Sequence, residues 1–169
     1  MILTDRDIIN KANNLGRPLV KPFDEKNVTP NGYDLSLGEV KVKTRHLYCE
    51  DVVDKVQNLN DGDIDIIPKT FFVAMTEEEV EMPSDVIGFL WIRSSYGRKG
   101  LILMASVVDA GYKGKLALSM YNCSDDIITF KKDAKRTIVQ IVFEQLDSTP
   151  SALYAKRSGH YQNQKTLKE

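Results

Sequence analysis

Most of this chain alternates between apolar and polar positions with a period of two residues. Val40 and Val42 alternate with charged residues, as do Ile64 and Ile66 with aspartates. Further short runs rich in β-branched, aromatic and other apolar residues cover 71–74, 87–92, 101–104, 116–120, 127–130 and 138–143. Clusters of Asn, Asp, Ser and Gly at 60–63 and 122–126 are typical of turns. The pattern therefore predicts an all-β domain, either a sandwich or a jelly roll.

Helical spacing is confined to the start of the chain. Thr4 can cap a helix, Asp5 and Asp7 lie in its first turn, and Gly16 with Pro18 would end it. The sequence thus predicts a helix over residues 4–15. Residues 76–80 are compatible with one further helical turn, and residues 81–85 with a connection.

Length and composition indicate one domain followed by a tail. The 169 residues include 42% hydrophobic residues, enough to bury a single core. We expect one β domain over residues 1–155. Residues 156–169 have too little apolar content to anchor themselves, so we expect a mobile C-terminal tail that closes over the functional site.

The charge balance excludes several classes of partner. Positive and negative side chains nearly cancel, to a net charge of −1, so no overall field attracts nucleic acid or an anionic membrane. No apolar run approaches the roughly 20 residues that span a bilayer, and the start lacks a signal-peptide pattern, so we expect a cytoplasmic protein. Two cysteines and two histidines are too few for a disulfide framework or a zinc site built by the protein.

A polar cluster directly follows the apolar run 87–92. Arg93 and Arg98 enclose Ser94 and Ser95. Guanidinium groups form bidentate, charge-assisted hydrogen bonds to phosphate oxygens, and hydroxyl and turn N–H groups can add to them. The cluster is a candidate phosphate-binding site. Taken alone, a charged surface turn with structural salt bridges explains such a segment more often.

A second candidate is the carboxylate of Asp109, which follows Val107 and Val108 and precedes Gly111. At the end of a strand this carboxylate is expected to be partly desolvated, and it could act as a general base toward water or accept a hydrogen bond from a sugar. An Asp-x-Gly sequence more often only caps a turn. Tyr112 could stack on a deoxyribose or base, or simply pack.

Five motifs occur in an order that resembles the dCTP deaminase and dUTP diphosphatase superfamily. They begin at Asn31, Arg93, Asp109, Lys135 and His160 and extend over nearly the whole chain. The resemblance implies a distorted jelly-roll fold of the dUTPase type, a homotrimer with active sites shared between subunits, and a magnesium ion carried on the triphosphate. Members of this family deaminate dCTP, hydrolyse dUTP, or do both.

The resemblance also implies a set of site residues. Asp109 corresponds to the catalytic base. The positions that correspond to substrate-binding residues are Arg93, Ser94, Ser95, Arg98, Tyr112, Ala117, Leu118, Ser119, Gln140, Tyr154, His160 and Gln164. Residues 103–106 would read the pyrimidine edge. His160 stands where a phosphate-binding lysine is expected, and a histidine grips phosphate better below about pH 6.5 than at pH 7.

Ser119 bears on which chemistry the site performs. In the deaminase pattern the position ten residues after the aspartate is a glutamate that shuttles protons, and here it is Ser119. A hydroxyl has no useful basicity near neutral pH, whereas general acid–base catalysis contributes roughly 100- to 10,000-fold. Deamination would therefore lack its main proton carrier.

The chain does contain the residues that release of diphosphate requires. Asp109 would activate water, while the arginines and magnesium would hold the triphosphate. Asn122 also matches an asparagine of dUTP diphosphatases. We therefore expect hydrolysis of dUTP to dUMP and pyrophosphate. The alternatives are deamination of dCTP, alone or coupled to hydrolysis, and a non-catalytic deoxynucleotide-binding protein.

Overall fold

The structure, a computed structural model, describes residues 1–13, 18–45, 52–104, 107–132 and 137–167, with the backbone alone at 42–45 and 52–55. Its elements in chain order are α1 Asp5–Asn13, β1 Val20–Lys21, a 3-10 helix Glu25–Asn27, β2 Val28–Thr29, β3 Gly32–Arg45, β4 Val52–Asn58, β5 Ile64–Ile66, β6 Phe71–Glu81, β7 Val86–Ile92, α2 Ser94–Gly97, β8 Leu101–Met104, β9 Val107–Val108, β10 Lys113–Asn122, β11 Ile128–Phe130, β12 Thr137–Gln145 and α3 Tyr154–Arg157. None of these helices is long and apolar enough to cross a membrane.

Ten strands form one curled antiparallel sheet. Its path runs β8-β10-β6-β3-β12-β7-β9, with β1 paired to β6 and with β2 and β4 paired to β3. The first part of β3 pairs with β12 and its later part with β6, so this one strand joins the two halves of the sheet. Strands β5 and β11 form a separate pair. The predicted all-β fold with a short N-terminal helix, a distorted jelly roll, is confirmed.

The core includes one fully buried aromatic side chain from each of four strands, β3, β6, β11 and β12. Tyr33, Phe72, Phe130 and Phe143 are fully buried, and each such side chain contributes roughly 1.5–3 kcal/mol to folding. The Tyr33 hydroxyl accepts a hydrogen bond of 3.0 Å from the Asp24 N–H. Burial raises the pKa of Tyr33, so the ring stays a neutral phenol.

One predicted element is wrong, namely the helical turn at residues 76–80, which instead belong to β6. Thr76, Glu78 and Val80 are buried while Glu77 is exposed, which is the two-residue alternation of a strand. The run of three glutamates concealed this alternation, because the buried Glu78 resembles its exposed neighbours in sequence. The predicted helix 4–15 corresponds to α1, and its last two positions lie outside the described residues.

Glu78 belongs to a buried polar network at the irregular middle of the sheet. Its Oε2 accepts a hydrogen bond of 2.9 Å from the Ser36 N–H in β3. The Thr76 hydroxyl donates to the Glu78 carbonyl at 2.7 Å and accepts from the Leu116 N–H in β10 at 2.9 Å. Three strands are thus connected where the registers of β3 and β10 with β6 shift.

Burial raises the pKa of Glu78 above its ordinary value, and the bond from Ser36 only partly opposes this effect. The folded protein therefore holds this proton more tightly than the unfolded chain, and its stability falls as pH rises through the folded pKa. We predict that Glu78→Gln, which removes the buried charge and keeps an acceptor for Ser36, raises the melting temperature at pH 8. The gain should shrink toward pH 4, where wild-type Glu78 is also neutral.

Thermal melts of both proteins across this pH range test the prediction. Glu25→Gln makes the same chemical change at an exposed position and serves as the control. A Glu78→Gln protein that is destabilised equally at pH 4 and pH 8 would show that the cost of burying the charge is not what limits stability here.

Candidate active site

A cavity of about 530 Å³ lies where β9, β10 and the C-terminal segment meet. It brings together six predicted site residues from different parts of the sequence: Asp109, Tyr112, Ala117, Ser119, Tyr154 and Gln164. The strands contribute Ala117 and Ser119, the turn between β9 and β10 contributes Asp109 and Tyr112, and the rest come from the segment after β12. The cavity is therefore the candidate active site.

Asp109 begins the tight turn that joins β9 to β10. The Tyr112 N–H donates to the Asp109 carbonyl at 3.1 Å, and the Gly111 N–H donates to the Pro83 carbonyl at 3.2 Å. Gly111 has φ +80°, a left-handed conformation that glycine adopts without strain. The turn thus places the Asp109 side chain at the rim of the cavity.

The Asp109 carboxylate is exposed in the single chain, rather than partly desolvated as predicted. Neighbouring residues in the described part of the chain donate no hydrogen bond to it, so it does not cap its own turn. A carboxylate in this condition is available to a water molecule or a sugar hydroxyl.

Strand β10 presents alternate residues to the cavity. Ser119 is half-buried, opposite Val73 of β6 and Met104 of β8. Ala117 faces the same way, whereas Leu118 points into the core with 2% of its surface exposed. Leu118 can therefore offer a substrate its backbone but not its side chain. Among the described residues that line the cavity, Asp109 supplies the one carboxylate.

Two tyrosines form a wall of the cavity. Tyr112 is 6% exposed, and its hydroxyl donates to the Lys115 carbonyl at 2.6 Å. Burial, with a smaller contribution from Tyr154, raises the pKa of Tyr112 to about 12. The Tyr154 ring meets that of Tyr112 edge-on, with centroids 5.2 Å apart. Tyr112 is thus primarily a packed wall residue that leaves a small surface for contact with a sugar.

The C-terminal segment closes one side of the cavity by pairing with β10. The Lys115 N–H donates to the Gln164 carbonyl at 2.8 Å, and the Asn163 N–H donates to the Lys113 carbonyl at 2.7 Å. A Cβ on Gly114, where φ is +141°, would lie 2.7 Å from the Gln164 nitrogen, so this close approach requires glycine. The mobility of this segment and its closure over the functional site stay predictions.

The predicted phosphate-binding cluster does not line this cavity. Ser94 and Ser95 are exposed in the first turn of α2, and Arg98 is exposed directly after it. Tyr96 anchors the helix by packing on Phe130, with ring centroids 5.8 Å apart. The cluster is therefore rigidly placed and accessible, but a single chain does not bring it to Asp109.

Arg93 differs from Arg98 because its guanidinium is largely engaged within the fold. Its Nε lies 3.1 Å from Oδ2 of the buried Asp34. Its Nη1 donates to the Thr137 carbonyl at 2.9 Å and to the Thr137 hydroxyl. These bonds join the end of β7 to β3 and β12, so Arg93 holds the cluster in place as well as being a candidate phosphate ligand.

Two further predicted site residues, Gln140 and His160, lie outside the cavity. The Gln140 amide donates to the Thr29 hydroxyl at 2.9 Å, and the exposed His160 ring packs edge-on against Tyr161 at 4.6 Å. Neither lines the cavity, and their binding roles stay predictions. Within the predicted base-reading segment, Leu103 and Met104 belong to β8, while residues 105–106 lie outside the described residues, as do residues 135–136 of the fourth motif.

Asn122 has a structural role. It is fully buried, and its amide donates to the carbonyls of Ile66, Ile67 and Asp126 at 2.9–3.2 Å. Its Oδ1 accepts from the N–H and hydroxyl of Ser124. The asparagine is required by this turn, so its presence does not favour dUTP hydrolysis over deamination.

Sequence reasoning missed three residues of α3 and the turn after it. Ser158 and Tyr161 line the main cavity, and Arg157 lines an adjoining cavity of about 200 Å³ together with Asp109. Positions 154, 158 and 161 have the spacing of one helical face, which could have placed them beside Tyr154. This short helical periodicity is hard to recognise in the sequence because the residues around it are mostly polar.

The chain is similar over most of its length to proteins named dCTP deaminase. A family model described as dCTP deaminase-like matches residues 2–146. A dCTP deaminase of Thermococcus kodakarensis is 36% identical over 150 residues, which cover 88% of each chain. A protein of Aquifex aeolicus named "dCTP deaminase, dUMP-forming" is 35% identical over 174 residues, covering 98% of this chain and 91% of that one.

A solved structure has the same fold. The 2′-deoxycytidine 5′-triphosphate deaminase of Agrobacterium tumefaciens aligns with a TM-score of 0.65 and 19% identity. The alignment covers 85% of this chain and 47% of the longer one. At this identity the likeness concerns the fold alone.

Proposed function

Because this chain belongs to the dCTP deaminase-like family, whose members are enzymes, we propose that its cavity binds a pyrimidine deoxynucleoside triphosphate and hydrolyses dUTP to dUMP and pyrophosphate. One observation carries the choice of reaction. The cavity contains a free carboxylate, Asp109, together with a serine, Ser119, where deamination requires a carboxylate. Such a cavity has a base for water but no second group to exchange protons with a cytosine ring.

The proposed reaction is attack of water on the α-phosphorus. Asp109 accepts a proton from the water, the new bond forms between the water oxygen and the α-phosphorus, and the bond to the bridging oxygen of pyrophosphate breaks. Ser94, Ser95 and Arg98 donate hydrogen bonds to the phosphate oxygens and stabilise the charge that develops on the leaving group. Tyr112 and Tyr154 exclude water from one side of the sugar.

Magnesium is proposed to enter with the triphosphate. Among the described residues no three His, Cys, Asp or Glu side chains are grouped to hold a metal, whereas phosphate oxygens are the hard ligands that magnesium prefers. Bound there, the ion offsets negative charge on the leaving pyrophosphate. The side chains named above bind the nucleotide and accept the proton.

We propose a homotrimer whose sites are shared between copies. Two features support it: the phosphate-binding cluster does not line the cavity that contains Asp109, and apolar side chains are exposed on β7, β8 and β9. Trp91 is 61% exposed, Met104 49% and Val107 45%. A closed cyclic assembly would bury such a surface and bring Arg98 of one copy to Asp109 of the next.

Deamination of dCTP is the second candidate, and the names of the relatives favour it over hydrolysis. Formation of dUMP from dCTP also requires release of pyrophosphate, so the name of the Aquifex relative includes both chemistries. Ser119 counts against deamination here, since a hydroxyl cannot replace the proton shuttle. A protein that binds deoxynucleotides without converting them is the third candidate.

We predict that Asp109→Asn lowers the rate of dUTP hydrolysis by at least about 100-fold, because the amide cannot accept the proton of water. Nucleotide affinity should stay within a few-fold, since the shape of the side chain is kept. The assay incubates each protein with magnesium and either dUTP or dCTP, and separates monophosphates from triphosphates.

The control is Asp126→Asn, the same change at an exposed position outside the cavity. Near wild-type turnover by Asp109→Asn would show that another group is the base. If the wild-type protein releases dUMP from neither nucleotide, the proposed hydrolysis is wrong, and tight binding without product would favour the non-catalytic alternative.

We predict that Ser119→Glu creates or increases deamination of dCTP, because it supplies the missing carboxylate at the cavity wall. Loss of cytosine absorbance and release of ammonia report the reaction. Ser119→Gln has a similar size without the basicity and should show no gain. Rapid deamination by the wild-type protein would instead establish the second candidate.

We predict that inactive Arg98→Ala and Asp109→Asn proteins regain activity when they are unfolded and refolded together. In a shared site, random mixing pairs an intact Arg98 with an intact Asp109 in about a quarter of sites. Refolding each variant alone is the control. No recovery from a mixture of confirmed trimers would show that each chain builds its site by itself.

A further inference from the structure

We infer that Arg157 is a further phosphate-binding residue of this site, supplied by the same chain as Asp109. The inference rests on the proposed binding of a deoxynucleoside triphosphate. It assigns to Arg157 the cationic role that the sequence pattern suggests for His160. The observations that carry it are the placement of α3, the lining of the two cavities and the positions of the other tail cations.

Helix α3 is fixed to the turn that contains Asp109. The Tyr154 N–H donates to the Ala110 carbonyl at 3.1 Å. Leu153 occupies the space beside Gly111, where an added Cβ would lie 2.8 Å from its own Cβ. The Arg157 N–H donates to the Leu153 carbonyl at 3.1 Å. The position of Arg157 is therefore set relative to Asp109 by a single helical turn.

Arg157 lies beside the catalytic carboxylate. It lines the cavity of about 200 Å³ that Asp109 and Ala110 also line. This cavity shares Asp109, Tyr154 and Ser158 with the larger one, so the two spaces adjoin along the Asp109 turn. A phosphate that receives water activated by Asp109 would lie within reach of a guanidinium at this place.

The other cations within the described part of the C-terminal segment lie elsewhere. Lys156, His160 and Lys165 are exposed and line neither cavity. The His160 ring is edge-on to Tyr161, and of these two residues Tyr161 lines the main cavity. Arg157 is thus the one cation among the described residues that line these two cavities.

The charge of the substrate makes such a cation necessary. A triphosphate is strongly anionic, and the described residues that line the main cavity include Asp109 but no lysine or arginine, so this cavity would repel it. An arginine offers a permanent charge and a planar fork suited to two phosphate oxygens. Arg157 would therefore attract the part of the triphosphate nearest Asp109, while the α2 cluster holds the remainder.

The test is calorimetric titration of the full-length protein with two probes, the α,β-imido analogue of dUTP with magnesium and dUMP, which keeps the phosphate nearest Asp109. Arg157→Ala should weaken binding of both by about 10- to 100-fold, the scale of a lost charge-assisted contact. Arg157→Lys should recover part of the loss, because it restores the charge without the fork. In the dUTP assay, KM should rise more than kcat falls.

Lys156→Ala is the matched control, since it removes an exposed cation from the same helix without changing either cavity. It should bind both probes within about threefold of wild type, as expected for an exposed charge that lines neither cavity. Binding by Arg157→Ala within twofold of wild type overturns the inference, and so does loss on His160→Ala alone. If the wild-type protein binds the analogue but leaves dUTP intact, the proposed hydrolysis is wrong. The binding data for the variants then still decide whether Arg157 contacts phosphate.

Discussion

The turn between β9 and β10 is the constraint on which the rest of the site depends. Gly111 and Gly114 both have positive φ, and both lack the Cβ that would collide with the C-terminal segment. Leu153 packs on the first glycine and the backbone of Gln164 on the second. This short turn and the start of β10 thus place Asp109 at the rim of the cavity and also contact the C-terminal segment beside the cavity. The position of the proposed base and the position of the C-terminal segment therefore depend on the same few residues.

A second set of contacts fixes the predicted phosphate-binding cluster. Arg93 bonds to Asp34 and Thr137, which belong to the two strands nearest the end of β7. Because Arg93 is engaged in this way, the side chains fully available to a phosphate in this cluster are Ser94, Ser95 and Arg98. The two arginines are equivalent in the sequence motif but differ in the fold: Arg93 is bonded within the protein, whereas Arg98 is exposed.

The sequence predicts the fold well because the two-residue alternation of buried and exposed positions is strong along most strands. It fails at 76–80, where a buried glutamate in a polar network looks like an exposed one. It places Tyr154 and Gln164 beside Asp109 only through the resemblance to a family, since the contacts of the C-terminal segment with the Asp109 turn and β10 are long-range. It does not identify Arg157, because the position of α3 depends on contacts with a turn more than 40 residues earlier.

The exposed Asp109 and the exposed Trp91 and Val107 have a common explanation in the proposed assembly. A carboxylate fully open to water is surrounded by solvent that competes with the substrate and screens every charge in the site. Covering the apolar strands with a second copy would remove that solvent and add the missing arginine in the same step. In this interpretation the single chain is an incomplete enzyme, and the free energy of association is what converts an ordinary aspartate at the end of a strand into a catalytic base.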